Sequence, residues 1–182
     1  MSNETRQRII EATVRVLARD GYAAASVKDI ATEAGVAPGL VHYYFKTKEE
    51  LVAAAVAEGC QPAPWPAAEN AIEAAREALR TIEEPSDDEL QFQALFREML
   101  GTATRNEEVR EALVLSIRAE REKIEAAARA VMAQRGESSL HKAPAVAAVV
   151  WGATFGINVQ RALDPEFDVS AAVDALTGMA LR

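Results

Sequence analysis

Apolar positions along this chain recur at intervals of three and four, and the breaks between recurrent stretches fall at glycines, prolines and short polar residues that favour helix ends. In residues 5–20, Ile10, Val14 and Leu17, flanked by Ile9, Thr13 and Val16, form one wide stripe, which predicts a helix stopped by Gly21. Ser26, with Asp29 three positions on, predicts a capping box that opens a short helix ending at Gly35. A third short helix is expected from about Pro38 to Phe45, because a proline in the first turn lacks only an N–H that would have no intrahelical partner. Thr47 and Glu50 repeat the capping-box pattern and open a fourth helix with Leu51, Val52, Ala55 and Val56 inward.

The prolines between Gly59 and Pro66 cannot continue that helix, so a domain boundary falls there or one helix earlier. Taking the earlier position divides the chain into residues 1–47 and 48–182. Further helices are expected near 67–81, 87–104, 107–135, 141–162 and 168–181, separated by Pro85, Asn106 as an N-cap, Gly136 and Pro165, with a third capping box at Ser86 and Glu89. The fold class is all-α, with about nine helices.

Composition narrows the function classes. With 49% hydrophobic residues the chain can bury a core, and its one cysteine, Cys60, forms no intrachain disulfide and suits a reducing cytoplasm. The polar N-terminus lacks the apolar core of an export signal, so a cytoplasmic location is expected. The uncharged stretch Ala143 to Val159 holds Pro144, Gly152, Gly156 and Asn158 and is shorter than the ~20 residues of a span, so it reads as a buried helix and no membrane partner is expected. Two histidines, His42 and His141, and a lone cysteine offer no metal site. No phosphate-cradling glycine loop or nucleophile–base set is legible, so neither a cofactor nor catalysis is expected. Net charge is −8, yet residues 1–48 hold seven basic and five acidic side chains, so the negative excess lies entirely beyond them.

Two short helices around a glycine turn have the spacing of a helix-turn-helix, with Ile30 and Ala31 expected to pack on Val36, Val41 and Phe45. The run SVKDIATEAGVAPGLVHYYFKTKEEL over residues 26–51, with Gly21 and Tyr22 before it, resembles the DNA-binding segment of the TetR (tetracycline-repressor-like) family. The resemblance covers about residues 5–56 and implies a three-helix DNA-binding domain followed by a helical ligand-binding and dimerisation domain.

Carried over position by position, it implies that Ser26 and Lys28 meet a phosphate or a base edge, and that Ala37, Pro38, Gly39, His42, Tyr43 and Tyr44 form the turn and groove-facing residues of the recognition helix. Lys48 matches a phosphate-binding lysine at the head of helix four. The chemistry agrees, since helix N-termini favour phosphate and His and Tyr can hydrogen-bond base edges. Ala37 stands where the family commonly has Ser or Thr, and His42 where it commonly has Tyr, which leaves the base sequence read by this chain open. By pattern alone Tyr44 and Phe45 favour the core, and Arg6 and Arg8 fit solvated surface or the DNA backbone equally.

Farther on, Val149, Gly152 and Gly156 of helix eight and Val169, Val173 and Leu176 of helix nine form small apolar faces expected to pair with a second copy. Phe92, Phe96 and Met99 of helix six, with Trp151, Phe155 and Asn158 of helix eight, are the candidate walls of a pocket for a small apolar or amphipathic effector, although such rows also build cores. The resemblance thus implies a homodimer on palindromic double-stranded operator DNA, a repressor released by a small molecule. An activator or constitutive binder of the same family, or a helical interaction module, are the alternatives.

Overall fold

The computed structural model describes residues 2–58, 70–137 and 139–181. Among these residues there are nine α-helices, one short 3₁₀ turn and no strand. The helices are α1 (Ser2–Ala24), α2 (Val27–Ala34), α3 (Pro38–Tyr44), α4 (Lys48–Glu58), α5 (Ala71–Arg80), α6 (Asp87–Ala103), α7 (Glu107–Gln134), α8 (Ala143–Leu163) and α9 (Val169–Ala180), with the 3₁₀ turn at Leu140–Lys142. The all-α expectation stands. The expected start of helix five near residue 67 lies outside the described residues, which place Asn70 as the N-cap, its side chain accepting from Glu73 N at 2.9 Å.

The helix ends follow local chemistry. Gly21 takes a positive φ of 76° and breaks α1 where the sequence stops its stripe. Ser26 and Asp29 form the capping box of α2, and Ser86 and Glu89 that of α6. Asn106 caps α7 through Val109 N at 2.9 Å, and Asp168 caps α9 through Ala171 N at 2.9 Å. The box before α4 is altered. Thr47 accepts from Glu50 N at 3.0 Å, but the Glu50 carboxylate reaches back to Lys46 N at 2.7 Å, one residue beyond the N-cap.

The helices form two compact units. The first holds α1 to α4, α6 and α7 as far as Ile117. It therefore extends beyond residue 47, because α1 packs against α2, α4 and α6. Ile9, Ile10, Thr13, Val14, Val16 and Leu17 of α1 are all buried, with Ile30, Leu51, Val52, Leu95 and Met99 from the helices around it.

The second unit holds α5, α7 from Arg118 onward, α8 and α9. Its core gathers Leu79 of α5, Ile157 of α8, and Val173 and Leu176 of α9, with Val150, Ala153 and Val169 packed at the edge. This corrects the expected dimer face. Val173 and Leu176 are 1% and 4% exposed within the single chain, so they cannot meet a second copy. The sequence of α9 shows an apolar stripe but not which neighbour covers it.

The expectation of a buried α8 also needs correction. The helix is long and apolar enough to cross a membrane by length and composition, and 17% of its apolar window is buried. It carries three lengthwise stripes. Val150, Ala153 and Ile157 face the α5–α9 core, Trp151, Phe155 and Asn158 form a second stripe, and Val149, Gly152, Gly156 and Leu163 a third. Val149 and Leu163 on the third are 70% and 79% exposed. Leu176→Ala should lower stability by about 2–4 kcal/mol through the cavity it leaves, read as the urea midpoint of the C-terminal unit. A midpoint shared with the parent would remove Leu176 from the core.

Candidate nucleic-acid interface

A two-helix reading head requires a rigid turn, and here the backbone supplies it. Gly35 sits at φ 65°, ψ 39°, its N–H reaching Thr32 O and the N–H of Val36 reaching Ala31 O at 2.9 Å, the paired bonds of a Schellman motif. Arg8 adds a cation at the same end by donating to Ala34 O at 2.6 Å. A Cβ at position 35 would stand 3.2 Å from that guanidinium, so glycine is favoured twice over. Ala37 then serves as the N-cap of α3 without a side-chain hydrogen bond, and Pro38 takes the first turn.

Inward, α3 is anchored by Val41 and by Phe45 just past its end, 1% and 3% exposed, on the buried Ile30 and Ala31 side of α2. Outward, Ala37, Pro38, Gly39, His42 and Tyr43 are all exposed, Tyr43 by 70%. Tyr44 is half-buried and meets Tyr43 edge-on at 5.1 Å between ring centroids. Ser26 and Lys28 are exposed at the head of α2, but the Ser26 hydroxyl is engaged with Asp29, whose carboxyl it holds below the usual range.

Lys48 is placed differently from a free phosphate hook. Its ammonium donates to the Tyr22 carbonyl and lies 4.3 Å from the centroid of the Tyr22 ring, and burial there lowers its pKa. The Tyr22 hydroxyl in turn donates to Glu49 at 2.8 Å, and burial, then this carboxylate, push the phenol up to about 12. Tyr22 N–H donates to Glu98 on α6 at 3.1 Å.

The arginines of α1 are also committed. Arg6 pairs with Glu58 and lies 5.3 Å from the Phe45 ring centroid, tying α1 to the ends of α3 and α4. Arg15 and Arg19 pair with Glu33 of α2 at 3.0 and 3.3 Å. Neither Arg6 nor Arg8 is simple solvated surface. Lys28 is exposed, and Lys46 reaches only the Tyr43 carbonyl at 3.4 Å. The roles of Arg6, Arg8, Tyr22 and Glu98 escape the sequence because their partners lie 26 to 76 positions away. The Gly21–Tyr22 pair was the one available signal.

The other expected residues divide between the units. In the first, Met99 has no exposed surface, Phe96 has 7%, and Phe92 is half-buried at 6.1 Å from Phe96. In the second, Trp151 and Phe155 stack in parallel at 5.5 Å, and Asn158 Oδ1 is buried without a hydrogen-bond partner. Such an acceptor is costly unless something meets it.

Residues 9–55 match the family model described as bacterial regulatory proteins, tetR family. The same stretch is similar to the nicotine-responsive transcriptional repressor HdnoR of Paenarthrobacter nicotinovorans, 46% identical over 55 residues that make up 30% of this chain and 28% of that one. It also resembles a fatty acid metabolism regulator protein of Bacillus subtilis, 48% identical over 44 residues, 24% of this chain and 23% of that one. The match thus spans about a quarter of these relatives' length. Over the whole chain, the fold resembles that of a candidate TetR-family transcriptional regulator from Rhodococcus sp., at a TM-score of 0.81 and 23% identity covering 98% of this chain and 97% of that one. A candidate regulator from Saccharomonospora viridis in complex with choline gives a TM-score of 0.75 at 21% identity, covering 97% and 95%.

The molecule is an all-helical fold with a helix-turn-helix at its N-terminal end. Within it, residues 9–55 are similar to the tetR family of bacterial regulatory proteins.

One consequence of the Arg6 clamp is measurable. Arg6 holds the Glu58 carboxyl below the ordinary glutamate range, first by hydrogen bonding. A carboxyl depressed in the folded state stabilises above its unfolded pKa, and that stability is lost as pH falls through the folded one. With both groups about a third or more exposed, the pair contributes about 0.5–1 kcal/mol. Glu58→Gln should therefore lower the urea midpoint at pH 7, with the gap to the parent closing below the glutamate range. A gap independent of pH would mean that packing alone matters there.

Proposed function

We propose that the chain is a DNA-binding transcriptional regulator that reads a palindromic operator as a homodimer, and that it is a repressor released by a small molecule. The observation that carries the DNA reading is α3 itself. It is pinned from below by Val41 and Phe45 and presents Pro38, Gly39, His42 and Tyr43 outward, a docking geometry suited to a major groove. Ser26, Lys28 and Lys48 flank it as candidate phosphate contacts, with Ala37 and Tyr44 at its margins. Repression is supported by the function named for the HdnoR relative, and a cytoplasmic location follows from a chromosomal target.

The dimer is supported by the third stripe of α8, where Val149, Gly152 and Gly156 leave a small-residue apolar face uncovered. Nothing lies within 4 Å of a Cβ built at Gly152 or Gly156, which leaves room for a second helix to approach. Val169 is half-buried at the start of α9 and can join the rim of that face. Two recognition helices are needed because one short helix contacts too few bases for a useful specificity ratio.

The effector reading rests on Trp151, Phe155 and the unmatched Asn158 acceptor of α8, while Phe92, Phe96 and Met99 line the separate N-terminal unit. An apolar body carrying one hydrogen-bond donor fits that chemistry.

The test is a mobility shift with duplex DNA flanking the chain's own gene. Lys48→Ala should weaken binding to all sequences and reduce the slope of log K against log salt by about one, whereas Tyr43→Ala or His42→Ala should change which sequence is preferred. Unchanged binding in all three variants would overturn the interface. Separately, Val149→Asp should give monomers in sedimentation, and a persistent dimer would put the interface elsewhere.

A further inference from the structure

The segment after Gly21 joins three elements through one residue. Gly21's positive φ ends the first helix, so the following N–H leaves the helix axis and donates to Glu98 Oε1 of α6 at 3.1 Å. A Cβ at position 21 would lie 3.4 Å from the same oxygen, an ordinary contact, so it is the positive φ that calls for glycine there. The carbonyl of the same residue, Tyr22, accepts from Lys48 Nζ, its ring underlies that ammonium at 4.3 Å, and its hydroxyl donates to Glu49 at 2.8 Å. The backbone of Tyr22 is thus held by a carboxylate at its N–H and by an ammonium at its C=O. Charged partners at the two ends polarise the donor and the acceptor in the same sense.

An ammonium has three N–H donors. One is committed to the Tyr22 carbonyl, which fixes the side chain's direction at the head of α4 and leaves two donors for an anion. A lysine fixed in this way loses less side-chain freedom when it meets a phosphate than a freely rotating one. The seat holds only while Tyr22 is held, and Glu98 holds it from the far side.

We propose that Glu98 is a positioning residue for DNA binding, acting through the Tyr22 backbone to hold Lys48 in place for a phosphate. The proposal rests on the reading of Lys48 as a phosphate contact. Glu98 itself touches no DNA in this scheme. Its carboxylate serves as a hydrogen-bond acceptor, so Glu98→Gln, which retains an acceptor oxygen, should serve nearly as well, and Glu98→Ala should not.

The experiment measures full-length parent, E98Q, E98A, K48A and the K48A/E98A double variant. Binding is followed on a duplex from the DNA flanking the gene and on a scrambled duplex of the same length. E98A should weaken binding to both duplexes about three- to tenfold, the range for loss of one hydrogen bond. E98Q should return it to within twofold of the parent, and E98A should add no further loss in the K48A background.

A second readout follows the ε-carbon NMR signal of Lys48, assigned by its absence from K48A. In E98A its titration midpoint should rise toward that of an ordinary lysine as the ammonium leaves its desolvated seat, while E98Q keeps the parent midpoint. Parent-like binding by E98A, additive losses in the double variant, or a Lys48 signal unmoved by E98A would each overturn the relay. Parent-like binding by K48A would instead overturn the phosphate reading, and the positioning role with it, so the two failures are distinguishable.

Discussion

A helix of seven residues cannot hold itself together in water, and α3 has seven. Only Val41 within it is buried, so its shape and direction are imposed by its surroundings. The glycine turn sets where it begins, Phe45 fixes where it ends, and Arg6 covers the Phe45 ring while reaching to Glu58 at the end of α4. The large buried stripe of α1 is the floor on which these pieces rest. The first unit is best understood as a frame built around a helix too short to exist alone.

Features set by neighbours in sequence were legible beforehand. Gly21, Gly35, the Ser26–Asp29 and Ser86–Glu89 boxes and the Asn106 cap act over four residues or fewer, and each stands where the pattern put it. The outward placement of Pro38, Gly39, His42 and Tyr43 could be read as well, since all four are polar, small or helix-starting residues around a single inward valine. Partnerships between distant positions could not be read. Charge counting treats Arg6, Arg8, Arg15 and Arg19 as a basic surface, whereas each finds an acceptor on a helix packed against or near α1. Val173 and Leu176 show the same limit for apolar residues, because an exposed stripe and a covered one look alike in sequence.

Helix α8 illustrates how one sequence can serve three surfaces. Its residues alternate among a stripe packed on α5 and α9, a stripe of stacked aromatics ending in Asn158, and a stripe of valine, glycine and leucine left open. A helix apolar all round would ordinarily be a fully covered core helix or a membrane span. Here the differences are of size and polarity from stripe to stripe, with glycines confined to the open one, and mean hydropathy averages them away.

The use of the α1 arginines as internal ties has an effect at the scale of a chromosome. A DNA-binding protein is shared between its site and a vast excess of unrelated sequence, and the share lost to the excess is set by cations that grip any phosphate. This fold keeps most of its N-terminal cations facing its own carboxylates and carbonyls, and the chain as a whole is acidic. On the DNA-binding reading, few copies would be tied up on bulk chromosome, so a small cellular pool would suffice to keep one operator occupied.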